Sequence, residues 1–347
     1  NTIMSQFKVN SITDKSGYCG PVISGVSTNN STGCMIIPAG PTEFRGGRGR
    51  GIFDSGATPS STNVIDMVEI ASRGNAVDFG DDVHAREEGH AAFASVTRGV
   101  MAGGQTPTFL SSITYVTISS AGGANDFGDL QTAVTRNVGL SNNTRGISGS
   151  GLISPSPALQ TAKMEFVTIA STGDGTSFGS LTRAHAGQGA CASPTRGLFA
   201  GGYNADGNTN IIDFITIATL GDAQDFGDLT DDVNHLAGCS NSTRGLFAGG
   251  QNPSNVNTIA YVTIATEGNA IDFGDLAHGG NNGRIDYLGA CASQIRGVIG
   301  GGQTPTKINT MQFVTISTTG NSTDFGDLTV ARRFPMGFSD VHGGLAQ

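Results

Sequence analysis

The 347-residue chain contains no tryptophan, and only 7% of it is aromatic. Its hydrophobic content, 37%, is low. Large side chains cannot fill its interior alone, so small residues must let sheets approach closely. A basic excess is missing too: 28 acidic against 19 basic side chains leave a net charge of −9. That excludes the basic footprint of a nucleic-acid binder. A sparsely charged, acidic surface fits a soluble particle or an extracellular protein and leaves contact with neutral glycans open. No run of about 18 apolar residues occurs, so no transmembrane helix is expected. Residues 1–10 lack the basic-then-apolar pattern of a signal peptide. Helix signals are nearly absent.

What is abundant is glycine, 53 residues, together with Thr, Ser, Asn and Val. That composition suits short strands joined by tight turns. An Arg-Gly dipeptide opens a short apolar stretch at Arg50, Arg98, Arg145, Arg196, Arg244 and Arg296, with spacings of 48, 47, 51, 48 and 52 residues. Self-similarity at that period means one supersecondary unit used repeatedly. Each unit has four pieces. The Arg-Gly strand comes first and ends in Gly-Gly in four units, before a variable loop. A β-branched and aromatic strand follows, such as Ile113 to Ile118. The third piece carries Asp-Phe-Gly-Asp, whose last carboxylates are Asp81, Asp129, Asp228, Asp275 and Asp327; the third unit has Ser177-Phe-Gly-Ser180 instead. A less regular fourth piece runs into the next Arg-Gly.

The second strand shows how such sheets must pack. Val116 and Ile118 share one face, Tyr115 and Thr117 the other. Charge is mostly confined to one early position, Asp66, Glu165 and Asp213, equivalent to Thr114. A sheet without a wet face needs neighbours on both sides, which radial stacking supplies. From Arg to the Phe of the third strand the counts are 29, 29, 33, 30, 29 and 29, so a longer loop is expected in the third unit around residues 154–161. One fourth-type piece is left over at 331–340, and it is expected to pair back onto the first unit. The expected fold is all-β: a six-bladed propeller of four-stranded antiparallel blades over residues 46–347, closed by the C-terminal strand. A short segment, residues 1–45, precedes it.

The glycine pairs, the following aromatic strand and the late aromatic resemble the kelch repeat of β-propellers over roughly residues 50–342. Kelch repeats usually carry Trp, and the Phe of Asp-Phe-Gly-Asp is the expected substitute. The phrases Thr-Arg-Gly-Leu-Phe-Ala-Gly-Gly, Tyr-Val-Thr-Ile-Ala-Thr and Asp-Phe-Gly-Asp-Leu are similar to proteins of marine bacteriophages, especially those of cyanobacteria. Residues 7–17 and 31–41 resemble N-terminal segments of phage tail fibres and other virion appendages. The resemblance implies a virion structural protein, located on the extracellular particle. Residues 1–45 would attach it to other virion proteins or mediate oligomerisation. The propeller would be displayed, for architecture or for adhesion to a host-surface glycan or protein.

Chemistry-bearing motifs occur in several copies, which fits a scaffold better than an enzyme. Asp-Phe-Gly is not a kinase motif here, because no catalytic loop or strand-borne Lys accompanies its five copies. It reads as an aromatic plug followed by a turn. Each repeat Arg is expected to contact carboxylates or carbonyls of a neighbouring strand, with the Asp-Phe-Gly-Asp carboxylates as natural partners. Cys191, Cys239 and Cys291 each stand five residues before a repeat Arg, so they occupy one position in three units and are expected to be small buried hydrophobes rather than disulfide partners. The pairing of Cys19 with Cys34 stays open. The histidines, His84, His90, His185, His235, His278 and His342, form no zinc spacing, and no metal or cofactor is expected. Broken symmetry is where a ligand site would hide, which singles out His90, Asn137, Gln188 and His235. A glycan-degrading enzyme is the main alternative, with Glu87 and Glu88 as its carboxylates. A cellular kelch-type interaction module is the third reading.

Overall fold

A computed structural model describes residues 27–28, 35–36, 49–155, 157–277 and 283–345. The chain divides into two units, Asn1–Arg45 and Gly46–Gln347. In the first, Ser27–Thr28 pairs antiparallel with Met35–Ile36. Cys19, Cys34 and His278 lie outside the described residues.

The second unit is a six-bladed β-propeller of four-stranded antiparallel sheets. Blade two shows the plan from axis to rim: Ala91–Ala94, Arg98–Ala102, Ser112–Thr117 and Asn125–Asp129. Blades are numbered by the repeat arginines, from Arg50 to Arg296, and strands from the axis outward, so the Arg-Gly strand is second, the aromatic strand third and the Asp-Phe-Gly-Asp strand fourth. The ring closes as expected. Met336–Ser339 forms the inner strand of blade one, with Ile52 opposite Phe338 and Asp54 opposite Met336. The third blade departs from expectation. Its extra residues build a hairpin rather than a loop: Leu152–Pro155 pairs with a third strand lengthened to Ala158–Thr168.

The packing layers lie between blades, not within them. One cluster joins Leu198 and Ile212 of blade four to Val262 and Ile264 of blade five. The Arg-Gly dipeptide is the fastener. Its glycine is a notch for an inner-strand side chain of the preceding blade. A methyl group on Gly245 would lie 2.6 Å from Cys191 Sγ, and one on Gly297 would lie 2.9 Å from Cys239 Sγ. Phe338, Phe93 and Leu140 fill the same notch at Gly99, Gly146 and Gly197. The three cysteines are thus buried free thiols that act as small knobs.

The arginine reaches the other way. Nη1 of Arg50, Arg98, Arg145, Arg196, Arg244 and Arg296 donates to the carbonyl of Ile118, Ile169, Ile217, Ile264, Ile316 and Ile70, each in the following blade. Five of these guanidiniums also lie 4.6–4.8 Å above an aromatic ring of their own third strand. Of the two partners expected from the sequence, the arginines therefore take neighbouring carbonyls and not the Asp-Phe-Gly-Asp carboxylates. Arg50 and Arg196 have additional carboxylate neighbours, Glu69 and Glu267, but neither belongs to that motif.

Asp-Phe-Gly-Asp instead seals the rim. Its Phe is buried, and in four of the five copies it lies edge-on against the aromatic of the third strand, as in Tyr115–Phe127 at 5.9 Å. Its Gly sits at a bulge with φ between 143° and 149°, where the next blade's turn presses on its Cα. That turn bonds the outer strand: Gly173 N donates to Phe127 O at 2.8 Å, and Asp174 Oδ1 accepts from Asp129 N at 3.0 Å. The equivalent bonds run around the ring to Gly74 and Phe325, so every outer edge is covered. The buried carboxylates also serve the seams. Asp213 accepts from Thr182 N at 3.0 Å, and Asp66 from Thr329 N at 3.1 Å. Arg332 Nη2 donates to Asp66 at 3.1 Å and to Phe53 O at 3.0 Å, which ties the C-terminal segment to blade one through a fully buried ion pair.

At the axis the inner strands alternate in chemistry. Blades two, four and six read Ala92-x-Ala94-Ser95, Ala190-x-Ala192-Ser193 and Ala290-x-Ala292-Ser293. Blades three, five and one read Gly139-x-Ser141-Asn142, Gly238-x-Ser240-Asn241 and Gly337-x-Ser339-Asp340. The glycines let backbone press on backbone; a methyl on Gly238 would strike the Ala190 carbonyl. The serines bond across the same seams, Ser141 to Ala94 O and Ser240 to Ala192 O, both at 2.7 Å. Ser339 to Ala292 O, at 2.5 Å, completes the set. The six blades are thus three pairs at their centre.

Candidate functional site

The two ends of the axis differ. At one, the last described residues turn inward and close it. Gly343–Leu345 forms a 3-10 turn whose glycines touch the Asn241 and Ser141 carbonyls. His342 Nε2 lies 3.0 Å from Ala94 O, and burial pushes its pKa down to about 4.

At the other end, each blade contributes the residue two places before its inner strand: Gly89, Arg136, Gly187, His235, Tyr287 and Phe334. All six are left-handed, with φ between 52° and 67°. Backbone bonds run from one to the next. Gly187 N donates to Arg136 O at 3.1 Å, His235 N to Gly187 O at 2.7 Å, and Phe334 N to Tyr287 O at 2.8 Å. This geometry is glycine's natural conformation, and two blades do use glycine. In the other four, a side chain with a Cβ occupies it at a cost of about 1 kcal/mol or more each.

Those four side chains meet. The His235 ring lies 4.4 Å from Tyr287 and 5.7 Å from Phe334, and Tyr287 lies 4.4 Å from Phe334. Arg136 Nη1 donates to Tyr203 Oη at 2.6 Å and its Nε to Glu88 at 2.7 Å. Arg333 approaches Glu88 at 3.8 Å and stands 5.7 Å over both Tyr287 and Phe334. Burial, aided by Arg136 and Arg333, pushes the His235 pKa down to about 3, so its imidazole is neutral at physiological pH. Burial opposes the charge on Arg136, but Glu88 and Tyr203 hold its pKa above the ordinary value.

The loops after the glycine pairs rise at this same end as small hairpins. Tyr203–Asn204 pairs with Gly207–Asn208, Gln251–Asn252 with Ser254–Asn255, and Gln303–Thr304 with Thr306–Lys307. Bridges fix them to the ring: Ala186 to Tyr203, Asn234 to Gln251, Asp286 to Gln303. Between the hairpins of blades five and six lies an open cleft of about 370 Å³ lined by Asp286, Tyr287 and Arg333 among others. Burial pushes the Asp286 pKa up to about 6, while Asn255 donates to it at 3.0 Å.

Of the four residues singled out by broken symmetry, only His235 belongs to this ring. The others sit one position further along, where the side chain turns between blades. His90 Nε2 faces Asp54 at 3.0 Å, with both side chains fully buried. Burial drives His90 down to about 3 and Asp54 up to about 6. Asn137 Nδ2 donates to Ala102 O and to Ser148 Oγ. Gln188 is buried as well. Sequence reasoning missed Arg136, Tyr287, Phe334 and Arg333. Counting nine residues back from each repeat Arg, instead of eight, finds five of the six ring positions: Gly89, Arg136, Gly187, His235 and Tyr287. Among the described residues, no three His, Cys, Asp or Glu side chains gather as metal ligands. No model of a known protein family matches the chain, and no curated protein matches it either.

Proposed function

We propose that this chain is a non-enzymatic display protein of a bacteriophage virion, a tail fibre, appendage or capsid decoration. Its propeller presents the axial face to host-surface saccharide. Residues 1–45 join it to other virion proteins. The observation that carries the adhesion reading is the strained ring. Packing alone would accept glycine at all six positions, yet four bulky side chains occupy left-handed backbone and converge on one face. Of the six described non-glycine residues at positive φ, four gather at this one ring, and such a concentration of strain points to a binding surface. The phage assignment, and the kelch-like label with it, is supported by the sequence phrases quoted above.

Immunogold labelling of purified particles tests the location, and binding of the labelled propeller to host cells tests the task. Label on an appendage or capsid vertex, with adhesion to cells, is expected. A protein confined to infected-cell lysate and absent from particles overturns the virion role. The hydrolase reading has one observation in its favour, the raised pKa of Asp286. It needs a second carboxylate about 5–9.5 Å away, and Glu88, the carboxylate flanking the ring, is held by Arg136. Release of oligosaccharides from host polysaccharide would reinstate it.

A further inference from the structure

The cleft between blades five and six has a charge pattern that its surroundings do not explain. The chain is acidic, with a net charge of −9. Six arginines are committed to carbonyls of the next blade, and Arg86 and Arg332 are fully buried. Among the described residues this leaves Arg73, Arg136, Arg183, Arg284 and Arg333. Three of those five, Arg136, Arg284 and Arg333, belong to the axial face or its cleft. Two carboxylates stand beside them, Glu88 and Asp286, while a third, Glu87, faces Lys307 close to Arg333. Glu88 is shared unequally: 2.7 Å from Arg136 Nε, 3.8 Å from Arg333. Arg333 is therefore held mainly by ring faces, and its Nε is buried without a hydrogen-bond partner. Arg284 is exposed.

We propose that this cleft binds an acidic saccharide, with a uronate-type carboxylate docked on Arg333 and Arg284 and ring hydroxyls met by Gln251, Gln303 and Asp286. A guanidinium presents parallel N–H donors that match a carboxylate, and it keeps its charge at any physiological pH. The amides offer donors and acceptors together, which neutral hydroxyls require. At about 370 Å³ the cleft is at the small end of ligand sites, which span about 300–1,000 Å³. It is open along the face, so it suits one unit of a longer chain. Asp286, buried and bonded by Asn255, repels an anion from its own side, which orients the sugar with its carboxylate toward the arginines.

This inference rests on the adhesion reading and adds the ligand class. Its test uses the full chain in calorimetric titration with oligogalacturonate and with a neutral glucan of equal length. Galacturonate should bind at least tenfold tighter, and the preference should shrink as salt rises. Arg284→Gln and Arg333→Gln should each weaken it about tenfold, Arg284→Gln with the melting temperature unchanged and Arg333→Gln with a small loss of stability from its lost ring contacts. Arg284 is exposed, so its variant separates recognition from folding. Equal binding of both polymers, or full binding by the double variant, overturns the inference. If the propeller adheres to host cells but galacturonate neither binds nor competes, the ligand class falls and the adhesion reading stands. If it adheres to no cell, the adhesion reading falls even where galacturonate binds.

Discussion

The notch-and-knob seam makes a quantitative prediction at Gly245 and Cys191. Gly245 lies in the second strand of blade five and has no positive φ, so alanine meets no backbone strain there. Its Cβ would stand 2.6 Å from Cys191 Sγ, about an ångström inside an ordinary contact. Overpacking of that kind costs about 1–3 kcal/mol. Stiffening the unfolded chain returns about 0.4–1 kcal/mol. Gly245→Ala should therefore destabilise by about 1–2 kcal/mol. Cys191→Ala alone removes the buried sulfur and should cost about 1 kcal/mol, by analogy with the deletion of one or two buried groups. Together, the new methyl fills the space the sulfur leaves. The double variant should be close to Cys191→Ala alone, a coupling of about 1–2 kcal/mol. Urea denaturation of the four proteins, read by circular dichroism at constant slope, measures it. Additive costs would refute the notch. Gly238→Ala is the built-in contrast: it strikes the Ala190 backbone, so trimming Ala190 to glycine should rescue nothing.

Other consequences are equally direct. Arg244→Met should cost about 2 kcal/mol, since it loses a charge-assisted bond to Ile316 O and a stacked cation. Its effect should add to that of Asp275→Asn, and a coupled pair would restore the carboxylate partnership that the structure replaces. Arg332→Ala should destabilise by about 3–5 kcal/mol, because Asp66 is left buried with part of its charge uncompensated; limited proteolysis should then cut first near the C-terminal strand, and uniform cutting would contradict the closure role. Acid should loosen the sealed end of the axis. The His342 pKa is about 4 in the fold against 6.5 unfolded, so its contribution is complete above pH 6.5 and is lost as pH falls toward 4. That loss is about 3 kcal/mol, and His342→Gln should flatten this limb of a stability-versus-pH curve; an unchanged slope would rule it out.

The architecture was legible because its signals repeat. A period near 48 residues, a leftover strand at 331–340 and alternating apolar residues fix the sheets and their closure without reference to any single contact. The arginine partners were legible only as a choice between two. Carboxylate and carbonyl both satisfy a guanidinium, and the choice depends on what the adjacent blade brings within reach: the end of its third strand, at Ile316 for Arg244. The candidate site was missed by one residue. His90 and Gly89 are neighbours, yet the left-handed turn at Gly89 sends the His90 side chain between blades and keeps only position 89 in the axial ring. The cleft could not be read at all, since Gln251, Asp286, Gln303 and Arg333 come from three blades. The Phe of Asp-Phe-Gly-Asp is buried, in keeping with an aromatic plug, but its glycine serves the neighbouring blade's turn rather than its own.

The axis carries two kinds of symmetry. Where inner strands press together, the sequence alternates Ala-x-Ala-Ser with Gly-x-Ser-Asn or Asp, giving three equal blade pairs. Six identical strands would set the same surface against itself at every seam. Alternation solves this, because a glycine can lie against an alanine backbone and a serine can bond the carbonyl opposite, as Ser240 does with Ala192. The true repeat at the centre is therefore two blades long, and the closing seam between Ala292 and Ser339 is one of its ordinary joints. At the opposite end neither symmetry survives. Gly, Arg, Gly, His, Tyr and Phe occupy one backbone position, and four of them do so against conformational preference. A ring optimised only for stability would have kept the cheaper residue all round. The departure is confined to the face where the hairpins also diverge in sequence, which is where a partner would be distinguished.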